Sequence, residues 1–386
     1  MAEVCDPAKI LEADRVSVYL LPADAPTMFA MRLPLSDTAP LPPLAPRQIA
    51  LVGCGHVAER HARALQWHGP RVDVVGVVDP DAQRRQTLAA LLEAPAFASL
   101  DALLAATSPQ LVSIATPTGL HCEQALQAAR SGADIILEKP LSTSLPEARQ
   151  MVAQVRELGR KLFVIKQLRH HPLFLALRDA VRLGRFGRIF SVGLEVYWNR
   201  GQAYYDAASW RGTRELDGGA LMNQASHYVD LLAWIFDEPH ELYAAGGTLG
   251  RRIEVEDTAL LNLRWPGGAL GSVHVSMLAY PRNLTTSLTV LGECGSVRLG
   301  GARCDRVEAW EFAEHAPQDD AIAGLASSVE DVLSGGHAHV FGAIFDHLDG
   351  VPDAPIVTGE EGLRSLTIID TAYASMRAHQ PLRVER

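Results

Sequence analysis

Short apolar runs alternate with helical stretches between Gln48 and Ile165, and that alternation leaves few folds open. Gln48–Val52, Val72–Val78, Leu111–Ala115, Ala133–Leu137 and Lys161–Ile165 read as strands. Helices are expected over Ala58–Trp67, Asp81–Leu92, His121–Ser131 and Pro146–Leu158. Strands this apolar have no solvent face, so their sheet must be covered on both sides. Strand–helix alternation supplies the cover and makes the strands parallel.

After about Pro172 the grammar changes. A helix over Leu173–Leu183 leads into a long strand, Arg188–Trp198. Strand-like runs follow at His240–Gly246, Thr258–Trp265, Ala269–Met277, Thr285–Leu291, Ser296–Leu299 and Arg306–Phe312, without regular intervening helices. This predicts an α+β domain with a large, mostly antiparallel, open-faced sheet. Residues 313–334 read as loop and short helix, and helices over Val340–Leu348 and Gly359–Met376 close the chain. At 386 residues the chain exceeds one comfortable core. The expected division is an extension at 1–46, an α/β domain at 47–170 and the α+β domain at 171–386, whose terminal helix can return to the first domain. In the extension, Arg15–Leu21 and Thr27–Leu33 read as paired strands and Pro40–Pro46 as a stiff linker.

The formal net charge of -10 argues against nucleic acid or an anionic membrane as partner. No apolar stretch approaches the roughly 18 residues of a membrane span, and the N-terminus lacks a signal pattern, so a cytoplasmic protein is expected. The five cysteines are scattered, without CxxC or CxH spacing. His337-Ala338-His339 stands isolated, so no metal is expected.

Gly53-Cys54-Gly55-His56-Val57-Ala58 is a GxGxxA run that follows a strand and opens a helix. Gly53 permits the tight turn and Gly55 lets backbone approach a pyrophosphate. Ala58 is small enough for close packing, and the helix N-terminus attracts the phosphate charge. Asp79 ends the next strand, where its carboxylate would accept from ribose hydroxyls and repel a 2′-phosphate, favouring NAD over NADP. Thr116 and Pro117 end a later strand and should line the path to the nicotinamide. His121 follows as a further cofactor contact or as a cap. Glu138-Lys139-Pro140 ends the Ala133–Leu137 run, where parallel strands meet a cofactor.

These motifs, with Ala115-Thr116-Pro117 and Gly218-Gly219 followed by His227, resemble the glucose-fructose oxidoreductase/inositol dehydrogenase/MocA family over roughly residues 47–383. The resemblance implies a Rossmann domain plus an open-faced sheet domain used for oligomerisation, here a homodimer or homotetramer. Lys166–His171, Ser209–Thr213 and Leu216–Asp230 look like the branch that oxidises the 3-hydroxyl of UDP-N-acetylglucosaminuronate for surface polysaccharides. Some members of that branch recycle NADH with 2-oxoglutarate. Many family members carry an aspartate four residues before the histidine; here it is Asn223.

Leu216–Phe236 reads as a helix, which would put Asn223 and His227 on one face with Asp230 nearby. Hydride transfer from a secondary alcohol needs a base for the hydroxyl proton. Lys139 and His227 are the two candidates; the preferred assignment makes His227 the base and Lys139 the group that stabilises the reacting oxygen, with the reverse left open. Gln167 is expected to contact cofactor or substrate. Arg169, Arg211 and Arg200 are candidates for a carboxylate or pyrophosphate, because guanidinium forks match those oxygens. Tyr204, Tyr205 and Trp210 could stack on a base or sugar, or simply pack; Asn223 and Gln224 complete the expected substrate wall. The other readings are a dehydrogenase of a free sugar or polyol, and a non-catalytic NAD-binding regulator.

Overall fold

The structure is a computed structural model describing residues 45–325 and 329–385, so the expectations for residues 1–44 fall outside the described residues. Strands β1 (Arg47–Val52), β2 (Val72–Val78), β3 (Ala96–Phe97), β4 (Leu111–Ile114), β5 (Asp134–Leu137) and β6 (Leu162–Val164) build a parallel sheet. Its order is β3-β2-β1-β4-β5-β6. The chain reverses direction across the sheet between β1 and β4, which opens a crevice at the carboxyl ends of those strands. Helices α1 (Ala58–Trp67), α2 (Ala82–Leu92), α3 (Leu100–Ala106), α4 (His121–Arg130) and α5 (Leu145–Glu157) flank it. Asp81, Ser99 and Ser144 cap α2, α3 and α5 by accepting backbone N–H bonds, as short polar side chains do at a helix start. Neither β3 nor α3 was anticipated, since a two-residue strand leaves no period to read.

Next come α6 (Pro172–Arg182), β7 (Ile189–Tyr197), α7 (Gln202–Asp206) and α8 (Ser226–Phe236). Then follow β8 (Glu241–Gly247), β9 (Thr258–Arg264), β10 (Leu270–Ser276), β11 (Thr285–Gly292), β12 (Gly295–Gly300) and β13 (Arg306–Phe312). Helices α9 (Asp319–Leu325), α10 (Val329–Leu348) and α11 (Gly359–Ala378) lead to a short last strand, β14 (Leu382–Arg383). The second sheet has eight strands in the order β13-β12-β11-β7-β10-β9-β8-β14. It is antiparallel except where β7 runs beside β10. One face is apolar, with Val192, Leu194, Val196, Leu261, Leu263, Val273 and Val275 buried. The other carries a polar lattice, where Tyr197 Oη lies 2.7 Å from His274 Nδ1 and Ser287 donates to Glu195 at 2.8 Å, beside exposed Leu260 and Leu270.

α10 begins well before the expected Val340, because Gly335 and Gly336 hide its helical period. Its Phe341, Ile344 and Phe345 pack with Ile49 and Phe163 of the first sheet and Leu65 of α1. α11 rests on both α5 and β8, bridging the two sheets. Gly362 lets it in closely: a Cβ there would lie 2.9 Å from Val164 and 3.1 Å from Leu141.

The expected single helix over Leu216–Phe236 is not formed. Gly218 takes φ 78° and Gly219 is extended, so regular helix cannot pass through them. A wide π turn over Ala220–Gln224 follows, and α8 starts only at Ser226. Wide turns of this kind are concentrated at functional sites.

Candidate active site

At the end of β1, Gly53 adopts φ 90° and its N–H reaches Val78 O at 2.7 Å. A Cβ on Gly53 would sit 2.8 Å from the Ala115 carbonyl, so the turn closes only on glycine. Gly55 faces open space, with nothing within 4 Å of where its Cβ would be. His56 is exposed and Val57 leads into α1. Asp79 accepts Cys54 N–H on Oδ2 and Asp81 N–H on Oδ1, each at 2.8 Å. Each oxygen keeps a second lone pair for a ribose hydroxyl. Arg85 donates to the carbonyls of Asp79 and Pro80, at 3.3 and 2.9 Å. An open glycine cradle at a helix start, closed by a carboxylate, fits the pyrophosphate and ribose of NAD. Thr116 donates its hydroxyl to Gln124 at 2.6 Å, and Pro117 turns the chain beyond it.

Two expected cofactor contacts turn out to be internal. His121 is buried with Nδ1 2.8 Å from Pro140 O and Nε2 3.0 Å from Thr116 O, so the ring braces two loops and presents neither nitrogen to a ligand. Glu138 is buried as well. His61 and His337 both reach its Oε1 through Nε2 at 3.0 Å, and its Oε2 accepts Lys139 N–H at 3.0 Å. Burial opposes the charge on Glu138, yet the two histidines hold its carboxyl well below the usual range. His337 is therefore not isolated. It joins His61 and Glu138 in a set whose ligand-type atoms lie within 4.8 Å of one another, knit by hydrogen bonds.

Lys139 comes off the end of β5 beside the π turn. Its Nζ donates to Asn223 O at 3.0 Å and to Asn223 Oδ1 at 3.3 Å. Asn223 Nδ2 in turn donates to Asp217 Oδ1, while Asp217 Oδ2 accepts Gly212 N–H at 2.6 Å. Asn223 thus serves Lys139 rather than sharing a face with His227. Burial lowers the Lys139 pKa from its ordinary value, with Glu138 pulling the other way. His227 sits at the start of α8, with Nε2 3.2 Å from the amide nitrogen of Gln167. Burial, then the charges of Lys139 and Lys166, hold its pKa well below 6.5. His227 Nδ1 and Gln167 Oε1 are buried without a partner among the described residues. Buried polar atoms left without a partner are where a ligand's polar groups would be met.

Sequence comparison agrees with this geometry. Residues 47–166 match the family described as "Oxidoreductase family, NAD-binding Rossmann fold", and residues 174–298 match the GFO/IDH/MocA C-terminal domain. The solved WlbA dehydrogenase of Bordetella pertussis, in complex with NADH and UDP-GlcNAcA, is 41% identical with a TM-score of 0.86, over 88% of this chain and 98% of its own. The chain belongs to the GFO/IDH/MocA family. The WlbA dehydrogenase of Chromobacterium violaceum, solved with the same ligands, is 39% identical with a TM-score of 0.84, over 89% of this chain and 98% of its own. Inositol 2-dehydrogenase of Rubrobacter xylanophilus is 26% identical over 346 residues, covering 87% of this chain and 93% of its own. The protein is an NAD-dependent oxidoreductase of this family's sugar dehydrogenase type.

Near Asp217, on which the Arg211 charge acts, stands an arginine–aromatic column. The Arg200 guanidinium lies 4.8 Å from the Trp198 ring centre and 5.5 Å from that of Tyr204. Arg211 lies 4.3 Å from Tyr204 and 5.5 Å from Trp210. Arg211 donates to Tyr204 O at 2.8 Å, but its Nε is buried without a partner among the described residues. Tyr205 is buried and packs edge-on against Tyr204. Gln224 is buried in the π turn.

Arg169 is not in that wall. It is buried and grips Asp230 through Nε at 2.8 Å and Nη2 at 3.0 Å. The expectation of a substrate contact is corrected: its fork is spent on a carboxylate of the protein itself. Sequence reasoning also missed Asp217, His61 and Glu256. The partners of His61 and Asp217 are far away in the chain or behind a loop, so no local period marks them.

Proposed function

We propose that the protein oxidises a sugar secondary hydroxyl, C3 of a UDP-N-acetylated hexuronate, in surface polysaccharide biosynthesis. The observation that carries this reading is the buried, unpaired Nε of Arg211, in an arginine–aromatic column whose charge, like that of Lys139, acts on Asp217. A guanidinium N–H left without an acceptor is costly unless an anion completes it. Likeness to two proteins solved with UDP-GlcNAcA supports the same substrate class. The cytoplasm is the proposed location; no helix among the described residues is long and apolar enough to cross a membrane. A second copy of the chain is proposed to cover the outer face of the eight-stranded sheet.

NAD, when bound, supplies the hydride acceptor. The chain does the rest. The Gln167 side chain engages His227 Nε2 and leaves Nδ1 without a protein partner; with the amide turned so that its oxygen accepts Nε2–H, Nδ1 is the unprotonated nitrogen and can take the sugar hydroxyl proton. Lys139 spends two of its three N–H donors on Asn223. The third is left for the reacting oxygen, whose growing negative charge it stabilises. Asp217 holds Asn223, and so the lysine, from behind.

The test is NADH absorbance with NAD and UDP-GlcNAcA, with and without 2-oxoglutarate, and product mass. Oxidation of the sugar, as NADH or as a keto product, is the expected result. No oxidation with NAD binding intact moves the assignment to a free sugar or polyol, or to a non-catalytic NAD sensor. Arg211→Ala is expected to raise KM for the nucleotide sugar by about 10- to 100-fold, with kcat changed far less. An unchanged KM in steady-state kinetics removes Arg211 from the substrate wall.

A further inference from the structure

Glu256 lies just before β9, outside every motif discussed so far, yet it reaches the turn that carries Asn223. Its Oε1 accepts Leu221 N–H at 2.9 Å, and its main-chain oxygen accepts Ala220 N–H at 3.0 Å. The first two N–H groups of the π turn are therefore held by one residue. Tyr373, from α11, donates its hydroxyl to the same Oε1 at 3.0 Å.

Gly219 explains why a glycine precedes the turn. A Cβ there would lie 1.7 Å from Glu256 Oε2 and 2.1 Å from its Cδ, so any side chain would expel the carboxylate. No cation pairs with Glu256 among the described ion pairs. Burial pushes its carboxyl up to about 7, with Leu221 N–H and Tyr373 O–H drawing it down. A buried carboxylate without a counter-ion is a poor device for stability. Its two bonds to backbone N–H groups both fall on the segment that sets Asn223 against Lys139.

We infer that Glu256 and Tyr373 are positioning residues: together they clasp the Ala220–Gln224 turn so that Asn223 meets Lys139 and α8 starts with His227 in place. The inference rests on the reading that Lys139 and His227 perform the chemistry. The clasp works through backbone. Asn223 stands two positions after Leu221 and His227 four positions beyond that, so a shift of the turn moves both ends of the site at once.

The experiment compares Glu256→Ala, Glu256→Gln and Tyr373→Phe with wild type in the full-length protein. It reads kcat and KM with NAD and UDP-GlcNAcA, NADH affinity by fluorescence, and crystal structures. Glu256→Ala is expected to lower kcat by roughly 100-fold, the effect of a displacement of about 1 Å, with NADH affinity within about twofold. Glu256→Gln keeps an acceptor for Leu221 N–H and is expected to recover kcat to within about fivefold of wild type. Rescue by glutamine with loss in alanine supports the clasp; kcat within about threefold of wild type in Glu256→Ala overturns it. If the alanine variant does not fold, Tyr373→Phe decides on the same kcat criterion. If wild type itself does not oxidise UDP-GlcNAcA, the substrate reading has failed and crystallography still decides: a displaced turn with the Lys139–Asn223 contact broken supports the clasp, and an unmoved turn overturns it.

Discussion

Lys139→Ala and His227→Ala are each expected to lower kcat for NAD-dependent sugar oxidation by about 10²- to 10⁴-fold, the usual worth of a positioned proton-transfer group. NADH affinity should stay within about twofold, because the Gly53–Ala58 turn and Asp79, which fit the cofactor's phosphates and ribose, are untouched. The two losses should be far from additive, since base and oxyanion partner act on one oxygen. The electrostatics also separate the two roles. His227 is kept neutral first by burial and then by the charges of Lys139 and Lys166. Its acid limb in kcat/KM should therefore lie below pH 6.5, with activity lost as pH falls through the lowered value. Removing the Lys139 charge should let the His227 imidazole titrate higher, which NMR of the ring in Lys139→Ala can read. Near-wild-type turnover in either variant would remove that residue from the chemistry.

Much of this site could be read from the chain because its parts are local. Gly53 to Ala58 sit on one turn, and Asp79 ends the next strand, so spacing alone brought them together. Lys139 could be placed because a strand end has a fixed position in a parallel sheet. What escaped the sequence is contact between distant segments. Arg169 looked like an anion fork, and nothing in its own motif says that Asp230 already fills it. Asn223 looked like a helical partner of His227, because the 3.6 period assumes regular helix, whereas the π turn over Ala220–Gln224 holds Asn223 and α8 starts only at Ser226. His337 looked isolated until α10 brought it to Glu138 from the far end of the chain. In each case a motif identified the residue type, while a tertiary partner decided its role.

Asp230→Ala is expected to destabilise the fold by about 3–5 kcal/mol, the cost of leaving buried charge without its partner. Asp230 lies almost fully buried between Arg169 and Lys166, whose Nζ is 3.3 Å away and also donates to Ser365 Oγ at 3.1 Å. Burial works to raise the Asp230 carboxyl, but the charges of Lys166 and Arg169 win and hold it at about 2. The sign of the pH effect follows. A carboxylate depressed in the folded state contributes stability that is complete above its unfolded pKa, about 3.9, and lost as pH falls toward 2. The variant should therefore show a lower Tm at neutral pH, and its Tm gap to wild type should close as the pH is taken toward 2. Activity should suffer beyond what is lost in stability, for a geometric reason. Arg169 stands two residues after Gln167, and Asp230 one helical turn after His227, so this ion pair ties together the two segments that bring Gln167 to the imidazole. Asp230→Asn, which keeps the shape and one acceptor, should retain most of the fold but loosen that tie. A Tm at neutral pH within about 2 °C of wild type in Asp230→Ala would show that the triad contributes little to stability, since a loss of about 3–5 kcal/mol moves a domain of 150–250 residues by about 6–20 °C.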